Sequence, residues 1–161
     1  MKIGVISDTH IPDRAEHIPE DILSAFKEVD MVVHAGDMVD LQAIEELKLV
    51  CKRVVAVAGN MDRESVRKKY PVKVMLDVEG FKVGIIHGWG ARLALAEVVK
   101  DAFKTDNPDI IIFGHSHKSM NEQVGGILFF NPGSATDVTA DCNSYGIIEI
   151  SGKISARIIK I

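Results

Sequence analysis

Asp8 and His10 stand two residues apart at the end of the apolar run Ile3-Gly4-Val5-Ile6, which puts a carboxylate and an imidazole on the same side of an extended segment. The arrangement recurs. Val32-Val33-His34-Ala35-Gly36 leads into Asp37, and Val54 to Val57 leads into Ala58-Gly59-Asn60-Met61-Asp62. Val83 to Ile86 runs into His87-Gly88, and Ile110 to Phe113 runs into Gly114-His115-Ser116-His117. Asp8, His10, Asp37, Asn60, His87, His115 and His117 are nitrogen and oxygen donors with no thiolate among them. Such a set suits Mn²⁺, Fe²⁺, Co²⁺, Ni²⁺ or Zn²⁺ and disfavours a Cys-rich structural zinc site. Seven donors exceed the needs of one such ion and suit two, with one carboxylate shared. A lone His or Asp after a strand is ordinarily a cap or turn residue, but five strand ends of this kind in one chain argue for a common site. Gly36, Gly59 and Gly114 each precede a donor, where a residue without Cβ lets the backbone turn sharply and come close.

The elements that must position these donors follow from the apolar pattern. Each donor comes after a short apolar run, which places it at the carboxyl end of a strand, where α/β folds gather functional groups. Pro19-Glu20-Asp21 opens a helix with Ile22, Leu23, Phe26 and Val29 on its apolar face. Asp40 is expected to cap a second helix, with Leu41, Ile44, Leu47 and Leu49 facing inward. With strands at Met31 to Ala35 and Arg53 to Ala58, the first part reads β-α-β-α-β, a parallel sheet with right-handed crossovers. Residues 63 to 73 are a basic stretch around a helical turn ended by Pro71, read first as a solvated face and second as a patch beside a phosphate site. Val74 to Val78 and Phe81 to Ile86 flank the hairpin signal Glu79-Gly80. A helix from about Ala91 to Lys104 carries Leu93, Leu95, Val98, Val99 and Phe103, and a strand Asp109 to Phe113 follows. Met120 to Val124 and Ile127 to Phe130 join through Gly125-Gly126, and Tyr145 to Ile150 and Ile154 to Ile159 join through Ser151-Gly152. No repeat or linker divides the chain, so residues 1–161 read as one domain, two stacked sheets with helices outside.

The 161 residues suffice for a real core, and 47% apolar with 26% charged residues is ordinary for a globular protein. A formal net charge of −4 gives no overall attraction to nucleic acid or anionic lipid, so an anionic substrate must be drawn by something local. No apolar run approaches a membrane span and the N-terminus lacks a signal peptide's regions, which makes the cytoplasm the expected location. Cys51 and Cys142 form no Cys-x-x-Cys and read as free thiols.

Asp8-x-His10, Gly36-Asp37, Gly59-Asn60-x-Asp62, His87-Gly88 and Gly114-His115-x-His117 together resemble the signature of the calcineurin-like metallophosphoesterases. The short length and Asn131-Pro132-Gly133-Ser134 resemble that superfamily's small bacterial and archaeal phosphodiesterase branch. The resemblance implies an α/β fold, a four-layer α-β-β-α sandwich of two mixed sheets flanked by helices. It implies a hydrolase of phosphoric ester bonds, foremost a phosphodiesterase, that uses a metal-bound hydroxide for in-line attack on phosphorus. Two divalent transition-metal ions are implied, Mn²⁺ first, with Ni, Fe, Co and Zn as alternatives. Asp8, His10, Asp37 and His117 would hold one and Asp37, Asn60, His87 and His115 the other, with Asp37 bridging. Asp37 and Asn60 then carry catalytic roles, and Asn60 with Arg63 meets the substrate, a small phosphate ester.

The charge count agrees: two divalent ions bring four positive charges, Asp8 and Asp37 remove two, and the neutral Asn60 and histidines leave the site cationic. Two positions depart from the family. Met61 stands where many members that act on monoesters place a proton-donating His, and Trp89 stands where the small branch often has a second His. Trp89 reads equally as a stacking platform or a packing residue. His17 and His34 belong to no motif and read as surface and near-core residues. The alternative function is a protein-interaction scaffold on the same fold, as in the retromer subunit; that branch alters the donor positions, which are all intact here. No extended nucleic-acid surface or membrane contact is expected, and a homo-oligomer remains open.

Overall fold

The computed structural model describes residues 1–137 and 143–161; Cys142 lies outside the described residues. Two five-stranded mixed sheets stack face to face. The first holds β1 (Lys2–Ile6), β2 (Met31–His34), β3 (Val54–Ala56), β9 (Ser144–Ile150) and β10 (Ile154–Lys160), in the order β10-β9-β1-β2-β3. The second holds β4 (Lys73–Val78), β5 (Phe81–Ile86), β6 (Ile110–Ile112), β7 (Met120–Val124) and β8 (Ile127–Asn131), in the order β4-β5-β6-β8-β7. β1, β2 and β3 run parallel, as do β5, β6 and β8. β4–β5, β7–β8 and β9–β10 are the three expected antiparallel hairpins. Helices α1 (Glu20–Phe26) and α2 (Gln42–Val50) cover the first sheet, and α4 (Leu95–Ala102) covers the second. A short α3 (Glu64–Lys69) follows β3.

Period-two alternation builds the layers. Ile3, Val5 and Val33 point between the sheets, where they meet Val83, Ile85, Ile110 and Ile112, while Ile6 and Val32 point outward to α1 and α2. Ile111 points outward to Leu95, Val99 and Phe103. On each sheet a glycine admits an aromatic ring from the covering helical layer. A Cβ on Gly4 would stand 2.6 Å from Phe26 Cδ1, and one on Gly84 2.8 Å from Phe103 Cε1. Among the described residues no helix is long and apolar enough to cross a membrane.

Three local expectations give way. Leu49, expected to face inward, is exposed, and so is Leu93. Leu49 follows the buried Leu47 by two residues and Leu93 precedes the buried Leu95 by two, roughly 200° round a helix from the packed face. The helix expected from Ala91 is a 3₁₀ turn, Arg92–Ala94, and then α4. Asp40 does not cap α2, which begins at Gln42; its carboxylate accepts the Leu41 N–H and holds Arg63.

Candidate metal centre

Because β1, β2, β3, β5 and β6 point the same way within their sheets, the donors that follow them are delivered to one edge of the sandwich. The chain leaves those strands abruptly. Asp8 (φ 53°), His10 (44°), Asp37 (55°), His115 (67°) and His117 (58°) all take left-handed backbone that L-residues seldom adopt. A second set of contacts holds it. The Ser134 hydroxyl donates to Asp8 O at 2.8 Å and the Thr136 hydroxyl to Thr9 O at 2.7 Å. Asn131 Nδ2 donates to Gly114 O at 2.7 Å. The Asn131–Thr136 stretch therefore buttresses both the Asp8 loop and the His115 loop. Gly114 is required by close approach, since a Cβ there would stand 2.7 Å from Asp8 Oδ2 and run into Ser7 Oγ.

The side chains are oriented so that each presents one lone pair to a common centre. Asp8 Oδ2 accepts the Ser7 hydroxyl and the His115 N–H, which leaves Oδ1 facing inward. Asp37 Oδ1 accepts the Met61 N–H at 2.7 Å, which leaves Oδ2. His87 Nδ1 faces Ala35 O at 2.8 Å and must donate to it, so the neutral ring turns the lone pair of Nε2 inward. His117 Nδ1 donates to Asp137, and His115 Nε2 donates to Gly90 O at 3.0 Å. That leaves His117 Nε2 and His115 Nδ1 as lone pairs, a carboxylate or carbonyl fixing each ring as in metal sites generally.

These inward atoms crowd together. His10 Nε2 and His117 Nε2 are 3.2 Å apart, and His115 Nδ1 lies 3.0 Å from Asn60 Oδ1. His87 Nε2 lies 3.1 Å from Asp37 Oδ2 and 4.0 Å from Asp8 Oδ1, and His117 Nε2 lies 3.3 Å from Asp8 Oδ1. Among the described residues, Asp8 Oδ1 and His87 Nε2 are buried without a hydrogen-bond partner. Buried lone pairs facing lone pairs are costly unless a cation lies among them, so the residues fit metal ions. Asp8, His10 and His117 form one tight group, and Asp8, Asp37 and His87 another. Asp37 Oδ2 faces both groups, 3.9 Å from His10 Nε2 as well as 3.1 Å from His87 Nε2. Asp8 belongs to both groups.

The metal-free electrostatics follow from this crowding. Burial would depress the His87 imidazole, but Asp37 and Asp8 outweigh it and lift the pKa to about 9. Burial would raise the Asp37 carboxyl, but His87 and the Met61 N–H hold it below the ordinary range. His34 goes the other way. Its Nδ1 accepts the Gly36 N–H, its Nε2 donates to Thr9 Oγ1, and complete burial depresses it to about 4.

The two histidines give opposite pH dependence. Above pH 6.5 neither the folded nor the unfolded His34 is charged. As pH falls from 6.5 towards 4 the unfolded chain takes a proton that the folded chain refuses, and about 3 kcal/mol of stability is lost. The stability contributed by charged His87 is fully present below 6.5 and lost as pH rises towards 9. Chelator-treated protein is expected to be most stable near pH 6.5 in urea unfolding, and His34→Gln to flatten the acid limb alone. An acid limb unaltered by His34→Gln would show that His34 does not remain neutral in the folded chain.

The structure brings Asp8, His10, Asp37, His87 and His117 into the centre and sets Asn60 with His115 at its more open side. Arg63 is engaged elsewhere, its guanidinium on Asp40 at 2.8 Å and on Asp13 at 3.1 Å. His17 is exposed on Glu46, and Cys51 is buried in the outer core of the first sheet. Ser7, Asp62, Asn131, Ser134, Thr136 and Asp137 were not identified from sequence in the roles they play. Asp62 is buried and clamps two loops, Oδ1 accepting Val39 N–H and Oδ2 accepting Gly59 N–H, each at 2.6 Å. Only the turn-like Asn131-Pro132-Gly133 and the acid in Gly59-Asn60-x-Asp62 carried a local signal of such a task.

Residues 1–153 match the model of the calcineurin-like phosphoesterase superfamily domain. A protein of Methanocaldococcus jannaschii named "Probable metallophosphoesterase" is 37% identical over 166 residues, covering 100% of this chain and 82% of that protein. A solved structure described as a novel archaeal phosphodiesterase superposes with a TM-score of 0.80 at 27% identity, with 100% of both chains covered. Wild-type Vps29 of Entamoeba histolytica, solved in complex with Zn²⁺, superposes at 0.77 with 26% identity over 99% of both chains.

Proposed function

Since this chain belongs to the calcineurin-like phosphoesterase superfamily, we propose that it is a phosphodiesterase dependent on two divalent transition-metal ions, Mn²⁺ first among them. The observation that carries the reading is the set of inward-facing atoms on Asp8, Asp37, His87 and His117, each fixed from behind by a contact on its other atom, with Asp8 Oδ1 and His87 Nε2 buried and unpartnered. Asp8, His10, Asp37, Asn60, His87, His115 and His117 hold the ions. Bound there, divalent cations supply an activated water and the positive charge that draws in an anionic phosphoryl group. Asp37, turned by the Met61 N–H, would offer its free oxygen to the bound cations, and Asn60 at the open side is placed to meet charge developing on the phosphoryl oxygens.

The likeness to Vps29 supports a second reading, an interaction scaffold without turnover. The full donor set favours the enzyme: five residues in costly left-handed backbone, Asp8, His10, Asp37, His115 and His117, are all buttressed at one centre. Chelator-treated protein is expected to be inactive on bis(p-nitrophenyl) phosphate. Mn²⁺ or Ni²⁺ should restore about tenfold more activity than Mg²⁺, which prefers oxygen and keeps its waters. Hydrolysis that is equal with and without chelator would overturn the reading.

A further inference from the structure

A groove of about 600 Å³ opens beside Asn60 and His87, between the loop that follows β3 and the loop that follows β5. Its walls carry two large apolar side chains open to solvent, Trp89 at 54% and Val72 at 72% exposure. Trp89 packs into none of the three cores. Its backbone is nevertheless held in place. Gly88 and Gly90, at φ 91° and 85°, turn the chain on either side of it. Leu95 packs beneath Gly88, where a Cβ would stand 2.7 Å from Leu95 Cδ1, and Gly90 O accepts the His115 ring N–H. The backbone that carries the indole is thus anchored on one side to the core and on the other to His115, which fixes where Trp89 stands on the groove wall. The groove also holds a cation. Arg67 donates to Asn60 O at 2.6 Å, and among the described residues no carboxylate pairs with it, whereas the neighbouring Lys73 is spent on Asp106.

Resting on the phosphodiesterase reading, we propose that this groove takes the nucleobase of a nucleoside phosphodiester, stacked on Trp89, with Arg67 meeting the phosphate charge beside Asn60. An aliphatic ester group would gain only area from an exposed indole, whereas a base gains face-to-face stacking. The groove lies within the range of ordinary small-ligand pockets and is continuous with the centre through Asn60 and His87.

Trp89 is the chain's one tryptophan, so its emission reports the groove directly. In chelator-treated protein, adenosine and adenosine monophosphate are expected to quench it saturably, and ribose 5-phosphate to leave it unchanged. In the metal-loaded enzyme, thymidine 5′-(p-nitrophenyl) phosphate and methyl p-nitrophenyl phosphate share one leaving group, so the ratio of their kcat/KM values isolates the nucleoside. That ratio is expected to fall about tenfold in Trp89→Ala and to recover largely in Trp89→Phe. Absence of quenching by adenosine, or a ratio unaltered by Trp89→Ala, would overturn the groove assignment while leaving the phosphodiesterase reading intact. Hydrolysis of neither diester would overturn that reading and the substrate assignment with it.

Discussion

Asp37→Asn is expected to lower turnover about 10³-fold, the equivalent of several kcal/mol of metal-derived transition-state stabilisation, and to leave the protein with fewer than two bound ions. The substitution is a clean one. An Asn side-chain oxygen can still accept the Met61 N–H, and Asn tolerates the φ of 55° at this position. What disappears is the negative charge on Oδ2, which faces His10 Nε2 and His87 Nε2 and would screen two like-charged ions from each other. A second readout needs no metal. Asp37 is a main reason why His87 stays charged up to about pH 9 despite its burial, so the His87 pKa should fall in the variant, as followed by NMR titration of the chelated protein. Ser116→Ala is the control, because Ser116 lies between the two histidines in sequence yet its hydroxyl bonds to Lys118 and Asn131 instead of entering the centre. Two ions retained at full rate in Asp37→Asn would sink the assignment of Asp37.

The convergence of these Asp and His side chains at one edge was legible because strand ends carry their own punctuation. Apolar runs that stop at Gly36, Gly59 or Gly114 announce a sharp exit, and Asp or His beside such an exit can face only the edge of a sheet. The hairpin at Glu79-Gly80 was legible for a similar reason: both residues take positive φ, 54° and 83°, which few residue pairs allow. The contacts that aim the donors were not legible. Ser134 reaches Asp8 across 126 residues, and the Asp137 carboxylate meets His117 twenty residues away with no periodicity to announce it. Basic residues were equally opaque. Arg63 and Arg67 look alike in the sequence, and what separates them is Asp13 and Asp40, which arrive from another part of the chain and occupy Arg63. Arg67, left without such a partner among the described residues, lies in the groove.

The same logic separates Asp62 from Met61 as candidates for protonating a leaving group. Burial raises the Asp62 pKa, which taken alone would recommend it as an acid. Its two oxygens, however, each accept a backbone N–H at 2.6 Å, so a proton there would displace a hydrogen bond that holds a donor loop. Asp62 is a clamp. Met61 is 56% exposed beside Asn60, and a thioether has no proton to give. The leaving oxygen must then depart as an anion or take a proton from water, so the rate should depend steeply on the leaving group's own pKa, with aryl esters cut well and alkyl esters poorly. A positioned general acid is worth about 10² to 10⁴ in rate. Met61→His is expected to restore part of that, most for the poorest leaving groups, and to flatten a plot of log kcat/KM against leaving-group pKa. Because the side chain at position 61 is exposed, the change disturbs no core, and the Met61 N–H that holds Asp37 belongs to the backbone and survives it. A shallow slope in the unaltered protein, the same in Met61→His, would mean that another residue already delivers the proton.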